Sequence, residues 1–163
     1  MIRDGSESDS EAIVAIYNHY IVNSTATFEE DEIDSKEMAS RIRKVTKEDL
    51  PWLVAEIDGE LCGYAYAGIW NARAAYKHTI EVTIYIAADA ASKGIGSSLY
   101  NDLFKRLRER KIHCVIAGIT LPNPASIAIH QKFGMTKSGQ FHEVGYKFGE
   151  WLDVGYWTVQ LNA

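Results

Sequence analysis

The sequence has few of the features that place a protein in a special class. No apolar run among its 163 residues approaches membrane-spanning length, and the N-terminal residues lack the apolar core of a signal peptide. Two cysteines, Cys62 and Cys114, lie in strand-like segments without metal-ligand spacing, which argues against a disulfide and a metal site. A net charge of -5 argues against nucleic-acid binding by phosphate neutralisation. We expect a cytoplasmic protein with no metal, membrane partner or nucleic-acid partner.

The remaining composition is typical of an ordinary globular domain. Hydrophobic residues make up 47% of the chain and charged residues 24%, which are common values for soluble proteins. Neither a linker, an internal repeat nor a low-complexity segment interrupts the sequence. We therefore predict a single domain over residues 1–163.

Hydrophobic periodicity predicts a mixed α/β domain. The predicted elements, in chain order, are a helix after a capping box at Ser8-Asp9-Ser10-Glu11, a helix from Asp34 or Ser35, strands at about 52–57, 61–68 and 79–87, a helix through Leu99 and Leu107, a strand over 113–120, a helix over 126–133, and two strands between 135 and 160. The strand over 79–87 leads directly into a glycine loop and a helix, an arrangement found in many phosphate-binding sites.

The glycine loop, Lys93-Gly94-Ile95-Gly96-Ser97, is the most informative motif in the chain. Glycines allow backbone N–H groups to approach a ligand, and the helix N-terminus behind them favours an anion. A Walker A loop requires Lys where this chain has Ser97, and a dinucleotide-binding motif requires a third glycine where it has Leu99. Two interpretations stay open on these residues alone: the pyrophosphate loop of an acetyl-CoA-binding protein, or a plain glycine-rich turn.

Segments along nearly the whole chain resemble the GNAT N-acetyltransferases, and within them the branch that acetylates phosphinothricin, methionine sulfoximine or methionine sulfone. The loop resembles the family pattern Gln/Arg-x-x-Gly-x-Gly/Ala, except that Ala91 stands at the position of Gln or Arg. The other similar segments are residues 16–20, 27–28, 52–60, 64–68, 70–76, 81–85, 94–100, 121–123, 130–135 and 145–155. The resemblance implies the GNAT acyl-CoA N-acyltransferase fold, a mostly antiparallel mixed sheet with a central parallel strand pair that splays apart, flanked by helices.

The same resemblance implies that acetyl-CoA is the co-substrate and lies between the splayed strands. Residues expected to contact it are Ile84, Tyr85 and Ile86 through their backbone, the loop residues Ser92, Lys93, Gly94, Ile95, Gly96 and Ser97, and Asn123. Tyr85 is alternatively a core residue, and Asn123 a turn residue between prolines. Lys93 is the charged residue of the loop. Because Ala91 replaces Gln or Arg, we expect weaker CoA binding that the backbone contacts still sustain.

Two residues are candidates for proton transfer. Acetylation of an amine needs a base, because an amine is mostly protonated near neutral pH. Glu81 interrupts an otherwise apolar strand face, and the resemblance assigns its position the role of base, acting directly or through a water. The alternative is a surface charge paired with Lys77. His130 stands where many relatives carry a Tyr that protonates the CoA thiolate, and the alternative is a hydrogen-bonded structural histidine.

The resemblance also implies an acceptor site around the loop that precedes the Glu81 strand. Its expected residues are Phe28, Asn71, Ala72, Arg73, Tyr76, Val82 and Thr83. Arg73 suits a carboxylate, phosphinate or sulfone, because a guanidinium binds such groups through two hydrogen bonds; the alternative is an unpaired surface arginine. Phe28 either forms a pocket wall or packs beneath the loop. The aromatic segment over 146–151 resembles one near the dimer interface of relatives, so a homodimer is expected.

These observations predict an acetyl-CoA-dependent N-acetyltransferase that acts directly on the α-amino group of a small amino-acid analogue. Neither cysteine has a basic partner in its local motif, which argues against an acetyl-enzyme intermediate. One alternative is the same fold acting on a protein N-terminus, a polyamine or an aminoglycoside; another is a non-catalytic acyl-CoA-binding module. The presence of Glu81 and His130 argues against the module. Arg73 and Lys77 favour an anionic acceptor over a polyamine.

Overall fold

The computed structural model describes residues 1–161, so the last two residues of the domain predicted over 1–163 lie outside the described residues. The strands are β1 (Ile2–Asp4), β2 (Trp52–Ile57), β3 (Glu60–Ile69), β4 (Thr79–Ile86), β5 (Cys114–Thr120), β6 (Thr136–Lys147) and β7 (Glu150–Gln160). The helices are α1 (Ser10–Asn23), α2 (Ser35–Lys47), α3 (Ile95–Glu109) and α4 (Pro124–Lys132). None of these helices is both long and apolar enough to cross a membrane.

The strands form one mixed sheet in the order β1-β2-β3-β4-β5-β7-β6. Every neighbouring pair is antiparallel except β4 and β5, which confirms the expected mostly antiparallel sheet with a central parallel pair. β1 was not predicted, because a strand of three residues is too short to show an alternating pattern. It extends the sheet by pairing with β2.

The parallel pair holds together over only three residues of each strand. Thr79, Ile80 and Glu81 pair with Cys114, Val115 and Ile116. Beyond this point β4 continues along β3 as far as Ile86, while β5 continues along β7 as far as Thr120. The two strands therefore diverge and open a V-shaped gap in the middle of the sheet.

Helices cover both faces of the sheet. Leu53 and Val54 are neighbours on β2, yet Leu53 belongs to the core beneath α3 and Val54 to the core beneath α1 and α2, as the alternation of strand side chains requires. Leu99 and Leu103 of α3 and Ile13 of α1 have no exposed surface. Burial of such a side chain stabilises a fold by about 1.5–3 kcal/mol relative to exposure. Packing of one apolar side therefore holds each helix on the sheet.

The predicted start of α1 is wrong. The helix begins at Ser10, and a short 3-10 turn over Glu7–Asp9 precedes it. The Asp9 carboxylate accepts the backbone N–H of Ser6 at 2.8 Å and pairs with Arg3 of β1 at 2.8 Å. The acidic capping residue is thus Asp9 and not Glu11. Because the ion pair comes from a strand distant in the fold, the local sequence does not reveal it.

The starts of α2 and α4 follow from their capping residues. Asp34 precedes α2 and accepts the N–H of Glu37 at 2.8 Å, as the sequence predicts. Asn123 precedes α4 and accepts the N–H of Ser126 at 3.2 Å. α4 therefore begins two residues before the predicted position, with Pro124 at its first turn, where a missing N–H has no cost.

The β6–β7 hairpin forms the far edge of the sheet. Its turn is Phe148-Gly149, where both residues have a positive φ, as a two-residue hairpin turn of this type needs. Gly145 of β6 leaves room for the Phe28 ring, because a Cβ at this position would come within 2.4 Å of it. Large hydrophobic side chains of this hairpin are more than half exposed, namely Phe141, Val144, Tyr146, Phe148 and Trp151.

Candidate active site

The V-shaped gap between β4 and β5 opens into a cavity of about 820 Å³. Residues 81–86 of β4 line one side, and residues 118–120 of β5 line the other. The loop before α3, the first turn of α3 and one side of α4 complete the wall. The volume lies within the range of pockets that bind cofactors and other small molecules. The divergence of the two central strands thus creates the candidate site.

Most residues expected to contact acetyl-CoA line this cavity. They are Ile84, Tyr85, Ile86, Ser92, Gly94, Ile95, Gly96, Ser97 and Asn123. Glu81 and His130 line it as well, together with Val82 and Thr83 of the expected acceptor site. Lys93, the charged residue of the loop, is not among the lining residues. The fold therefore joins the strand, loop and α4 segments into one site and leaves Lys93 outside it.

β4 presents a backbone edge to this cavity. Its residues after Glu81 remain paired with β3, but their pairing with β5 has ended. An extended ligand that carries amide groups can pair with such an edge as an added strand does. One carbonyl already has a partner, because the Tyr20 hydroxyl donates a hydrogen bond to the oxygen of Ile86.

The two glycines of the loop have different structural causes. Gly94 is the N-cap of α3 and has a positive φ of 76°, which glycine adopts at little cost. Gly96 lies so close to α4 that a Cβ would be 2.8 Å from the Cδ1 of Ile129. No side chain caps α3, so the N–H groups of its first turn and the helix dipole favour an anion at this end of the cavity.

Glu81 lies where β4 and β5 separate. It is the last residue of β4 that pairs with β5, and its Oε2 is 3.5 Å from the position of a Cβ on Gly118. Burial raises the pKa of its carboxyl above the ordinary value of 4.5, because desolvation disfavours the charged form. No cation among residues 1–161 offsets this effect, so the alternative pairing with Lys77 is not formed. A half-buried carboxylate of raised pKa is a suitable proton acceptor.

His130 lines the cavity, but both of its ring nitrogens have partners in the protein. Nδ1 lies 2.6 Å from the carbonyl oxygen of Ser126, and Nε2 lies 2.9 Å from the Tyr100 hydroxyl. A carbonyl only accepts, so Nδ1 carries the proton and Nε2 accepts from Tyr100. Burial lowers the pKa of the ring, which is 3% exposed. This geometry favours the structural alternative, and the proton-donor role stays a prediction.

Five residues of the expected acceptor site lie outside the cavity. Asn71, Ala72, Arg73 and Tyr76 belong to an exposed loop between β3 and β4. Within that loop, the Asn71 side chain accepts the backbone N–H of Arg73 at 3.0 Å. Phe28 is 41% exposed and packs against Gly145 of the hairpin. Within one chain, therefore, Val82 and Thr83 are the expected acceptor residues that lie beside Glu81.

The loop before Phe28 also lines the cavity, through Ala26 and Thr27, neither of which the sequence indicated as a site residue. Lys147, at the end of β6, donates to the carbonyl oxygens of Ser24 and Thr27, both at 2.8 Å. The Tyr85 hydroxyl donates to the carbonyl oxygen of Ala26 at 3.2 Å. Lys147 is only 2% exposed, although a lysine beside a hairpin turn gives no sequence signal of burial. It holds the wall of the cavity from the distant edge of the sheet.

An aromatic residue near Glu81, Tyr156, is not indicated by any sequence motif. A Cβ on Gly118 would lie 3.2 Å from the Tyr156 ring and 3.5 Å from the Glu81 carboxylate. The Tyr156 ring makes edge contacts with Trp70 and Phe141, each with a centroid distance of 5.8 Å. Tyr156 lies on β7, Phe141 on β6 and Trp70 directly after β3, so only the folded sheet brings them together. The described residues contain no group of three or more His, Cys, Asp or Glu that could hold a metal ion.

A sheet split between two parallel strands, with an uncapped helix N-terminus beside the split, is the arrangement that the resemblance to the GNAT acyl-CoA-binding transferases implies. The family model described as an acetyltransferase (GNAT) domain matches residues 2–155 of the chain. The chain therefore belongs to the GNAT family of N-acetyltransferases, as its sequence motifs indicated.

Named relatives cover nearly the whole chain. Phosphinothricin N-acetyltransferase of Streptomyces viridochromogenes is 39% identical, and the alignment covers 96% of this chain and 85% of that protein. The L-methionine sulfoximine/L-methionine sulfone acetyltransferase of Pseudomonas paraeruginosa is 35% identical over 99% of this chain and 94% of that protein. The structure of a phosphinothricin acetyltransferase from Sinorhizobium meliloti in complex with AcCoA superimposes with a TM-score of 0.95 at 34% identity, covering 98% of this chain and 87% of that one. The chain is an acetyl-CoA-dependent N-acetyltransferase similar to these enzymes.

Proposed function

We propose that this enzyme transfers the acetyl group of acetyl-CoA directly to the α-amino group of a small amino-acid analogue. The acceptor class is that of phosphinothricin, methionine sulfoximine and methionine sulfone, which the names of the relatives carry. The observation that supports the proposal most is the position of Glu81. Its unpaired, partly buried carboxyl lies where the central strands separate, and it faces the cavity.

Glu81 is the general base of the proposed reaction. The acceptor enters as an ammonium ion, and Glu81 removes one of its protons, directly or through a water. The free amine then attacks the thioester carbonyl and the C–S bond breaks. The nitrogen loses one further proton to become an amide, and the CoA thiolate takes up one proton to become the thiol. The raised pKa of Glu81 brings its basicity closer to what this proton transfer requires.

The environments of the cysteines support direct transfer. Cys62 is buried on β3, where its Sγ–H donates to the carbonyl oxygen of Ala55 at 3.4 Å. Burial raises the pKa of both Cys62 and Cys114, so neither thiol is activated as a thiolate. Neither residue lines the cavity. An acetyl-enzyme intermediate on cysteine therefore has no support in this chain.

A second copy of the chain is the proposed partner. The exposed aromatic side chains of the β6–β7 hairpin include Tyr146 and Trp151, whose rings pack across the strands with centroids 4.8 Å apart. Apolar surface of this kind gains stability when a partner covers it. The hairpin also contacts Phe28 through Gly145, so pairing of two hairpins would bring a partner surface close to the expected acceptor residues. We propose that the homodimer completes the acceptor site around Arg73 and Tyr76.

The proposal is tested by measuring CoA release over a panel of acceptors. The panel holds phosphinothricin, methionine sulfoximine, methionine sulfone, natural amino acids, a polyamine, an aminoglycoside and short peptides. We expect the highest kcat/KM with the first three compounds. A higher kcat/KM for a peptide or a polyamine would show that the proposed acceptor class is wrong. Tight acetyl-CoA binding without turnover on any acceptor would indicate a non-catalytic acyl-CoA-binding module.

A further inference from the structure

We propose that Lys132 supplies the side-chain positive charge for the CoA pyrophosphate, in place of the Gln or Arg that Ala91 lacks. Among the described residues that line the cavity, Lys132 is the only lysine or arginine. Its Nζ donates a hydrogen bond to the Ser97 hydroxyl oxygen at 2.8 Å. Lys132 is the last residue of α4, and Ser97 belongs to the first turn of α3. The charge therefore stands beside the uncapped N-terminus where an anion is favoured.

The loop itself provides no such charge to the cavity. Ala91 lines the cavity with a methyl group, and Lys93 is exposed and does not line it. A pyrophosphate group carries negative charge that backbone N–H groups only partly neutralise, and charge-assisted hydrogen bonds are the stronger ones. Lys132 on α4 thus supplies the positive charge that the loop, with Ala91, does not provide.

The contact between Lys132 and Ser97 fits a shared phosphate oxygen. The Ser97 oxygen accepts from Lys132, so its own O–H remains able to donate. Both donors and the N–H groups of the first turn of α3 then converge on one anion. Lys132 also lines a neighbouring pocket of about 290 Å³ with Asn101 and Arg108. Because this pocket holds a second cation, the alternative to be tested is that Lys132 binds the 3′-phosphate of CoA rather than the pyrophosphate.

Calorimetric titration with CoA tests the proposal without any acceptor, so its outcome is independent of the proposed acceptor class. We expect Lys132→Gln to weaken CoA binding about tenfold and to reduce its dependence on salt. Lys105→Gln, an exposed change on α3 that lines neither pocket, is the matched control and should bind CoA as the wild type does. Lys132→Arg should retain affinity. In the Lys132→Gln background, Ala91→Arg should recover part of the lost affinity by placing a cation on the loop.

Truncated ligands identify the phosphate. Dephospho-CoA lacks the 3′-phosphate and should show the same loss with Lys132→Gln as CoA does, whereas acetyl-pantetheine lacks the pyrophosphate and should show none. A loss for CoA that disappears with dephospho-CoA would assign Lys132 to the 3′-phosphate and overturn the proposal. Equal affinities of Lys132→Gln and wild type for CoA would overturn it as well. A loss of equal size for acetyl-pantetheine would mean that Lys132 only holds α3 against α4, which also contradicts the proposal.

Discussion

The two ends of the cavity are built in different ways. The end proposed for acetyl-CoA is formed mainly by backbone, namely the free edge of β4, the loop with Gly94 and the first turn of α3, with the Lys132 side chain beside them. The end proposed for the acceptor is formed by side chains from scattered elements, including Glu81 on β4 and Tyr156 on β7. Its loop over 24–29 depends on Lys147 from the far side of the sheet.

This difference follows from what each end has to recognise. Acetyl-CoA is the same molecule for every enzyme that uses it, so backbone groups of fixed geometry can provide most of its contacts. An acceptor differs between enzymes, and its selection needs side chains that can change without disturbing the sheet. Substitutions at the acceptor end should therefore change kcat or the KM of the acceptor and leave acetyl-CoA binding intact.

Glu81→Gln should have the largest effect. Removal of a general base typically lowers kcat by a factor of about 100 or more, while the affinity for acetyl-CoA measured by calorimetry should not change. The wild type should lose kcat/KM at acidic pH with an apparent pKa above 4.5, since burial raises the pKa of Glu81, and the variant should lack that limb. Glu60→Gln, an exposed change, is the control. A variant with wild-type kcat would remove Glu81 from the mechanism.

The unfolding temperature of Glu81→Gln shows whether a loss of activity in this variant comes from catalysis or from reduced stability. A carboxyl whose pKa is raised on folding favours the protonated form in the native state, so the free energy of unfolding falls as pH rises through the ionisation range. At pH 7 an ionised Glu81 therefore costs stability. Glu81→Gln should unfold at the same or a higher temperature than the wild type by calorimetry, with the difference shrinking in acid. A lower unfolding temperature at pH 7 would contradict this account.

Trp151→Lys should have the next largest effect, on dimerisation. Its ring is 64% exposed on the β6–β7 hairpin, and loss of a central interface tryptophan weakens association by about 30-fold or more. Analytical ultracentrifugation should show a shift from dimer to monomer. The matched control is Ile57→Lys, an equivalent change at an exposed residue of β2. If the wild type is monomeric throughout, the proposed interface is incorrect.

Lys147→Met tests the support of the acceptor loop. The substitution leaves the carbonyl oxygens of Ser24 and Thr27 without their charged donor, and we expect the KM of the acceptor to rise about tenfold. The KM of acetyl-CoA should change much less. Lys147→Arg should recover part of the loss, whereas Lys137→Met, on an exposed part of the same strand, should be neutral. Equal increases in both KM values would show that Lys147 supports the whole cavity.

Arg73→Ala should have the smallest effect. Because Arg73 is exposed and lies outside the cavity of one chain, its charge is screened, and we expect about a fivefold increase in the KM of acidic acceptors. The KM of an uncharged acceptor serves as the comparison and should be the same for Arg73→Ala and the wild type. An identical increase for the uncharged acceptor would show that Arg73 does not recognise an anion.

Most residues that the sequence predicted for acetyl-CoA line one cavity, whereas most of those predicted for the acceptor lie outside it. Gly94 and the strand before it form a continuous segment, so one local pattern identifies the site and its ligand class. Lys132 and Lys147 lie far from the groups they contact, and neither belongs to a local motif. The predicted capping box at Ser8 was wrong for the same reason, since the ion pair of Asp9 with Arg3 joins separate elements.

The sequence by itself determined most of the helices and strands, the glycine loop and the family, because these depend on local periodicity and on motifs within short segments. Only the tertiary structure decided which side chains meet in the cavity. It separated β4 from β5 at Glu81, paired both nitrogens of His130, and brought Lys132 rather than Lys93 to the cavity. Such contacts join distant parts of the chain, and they are set by the packing of helices on the sheet rather than by neighbouring residues.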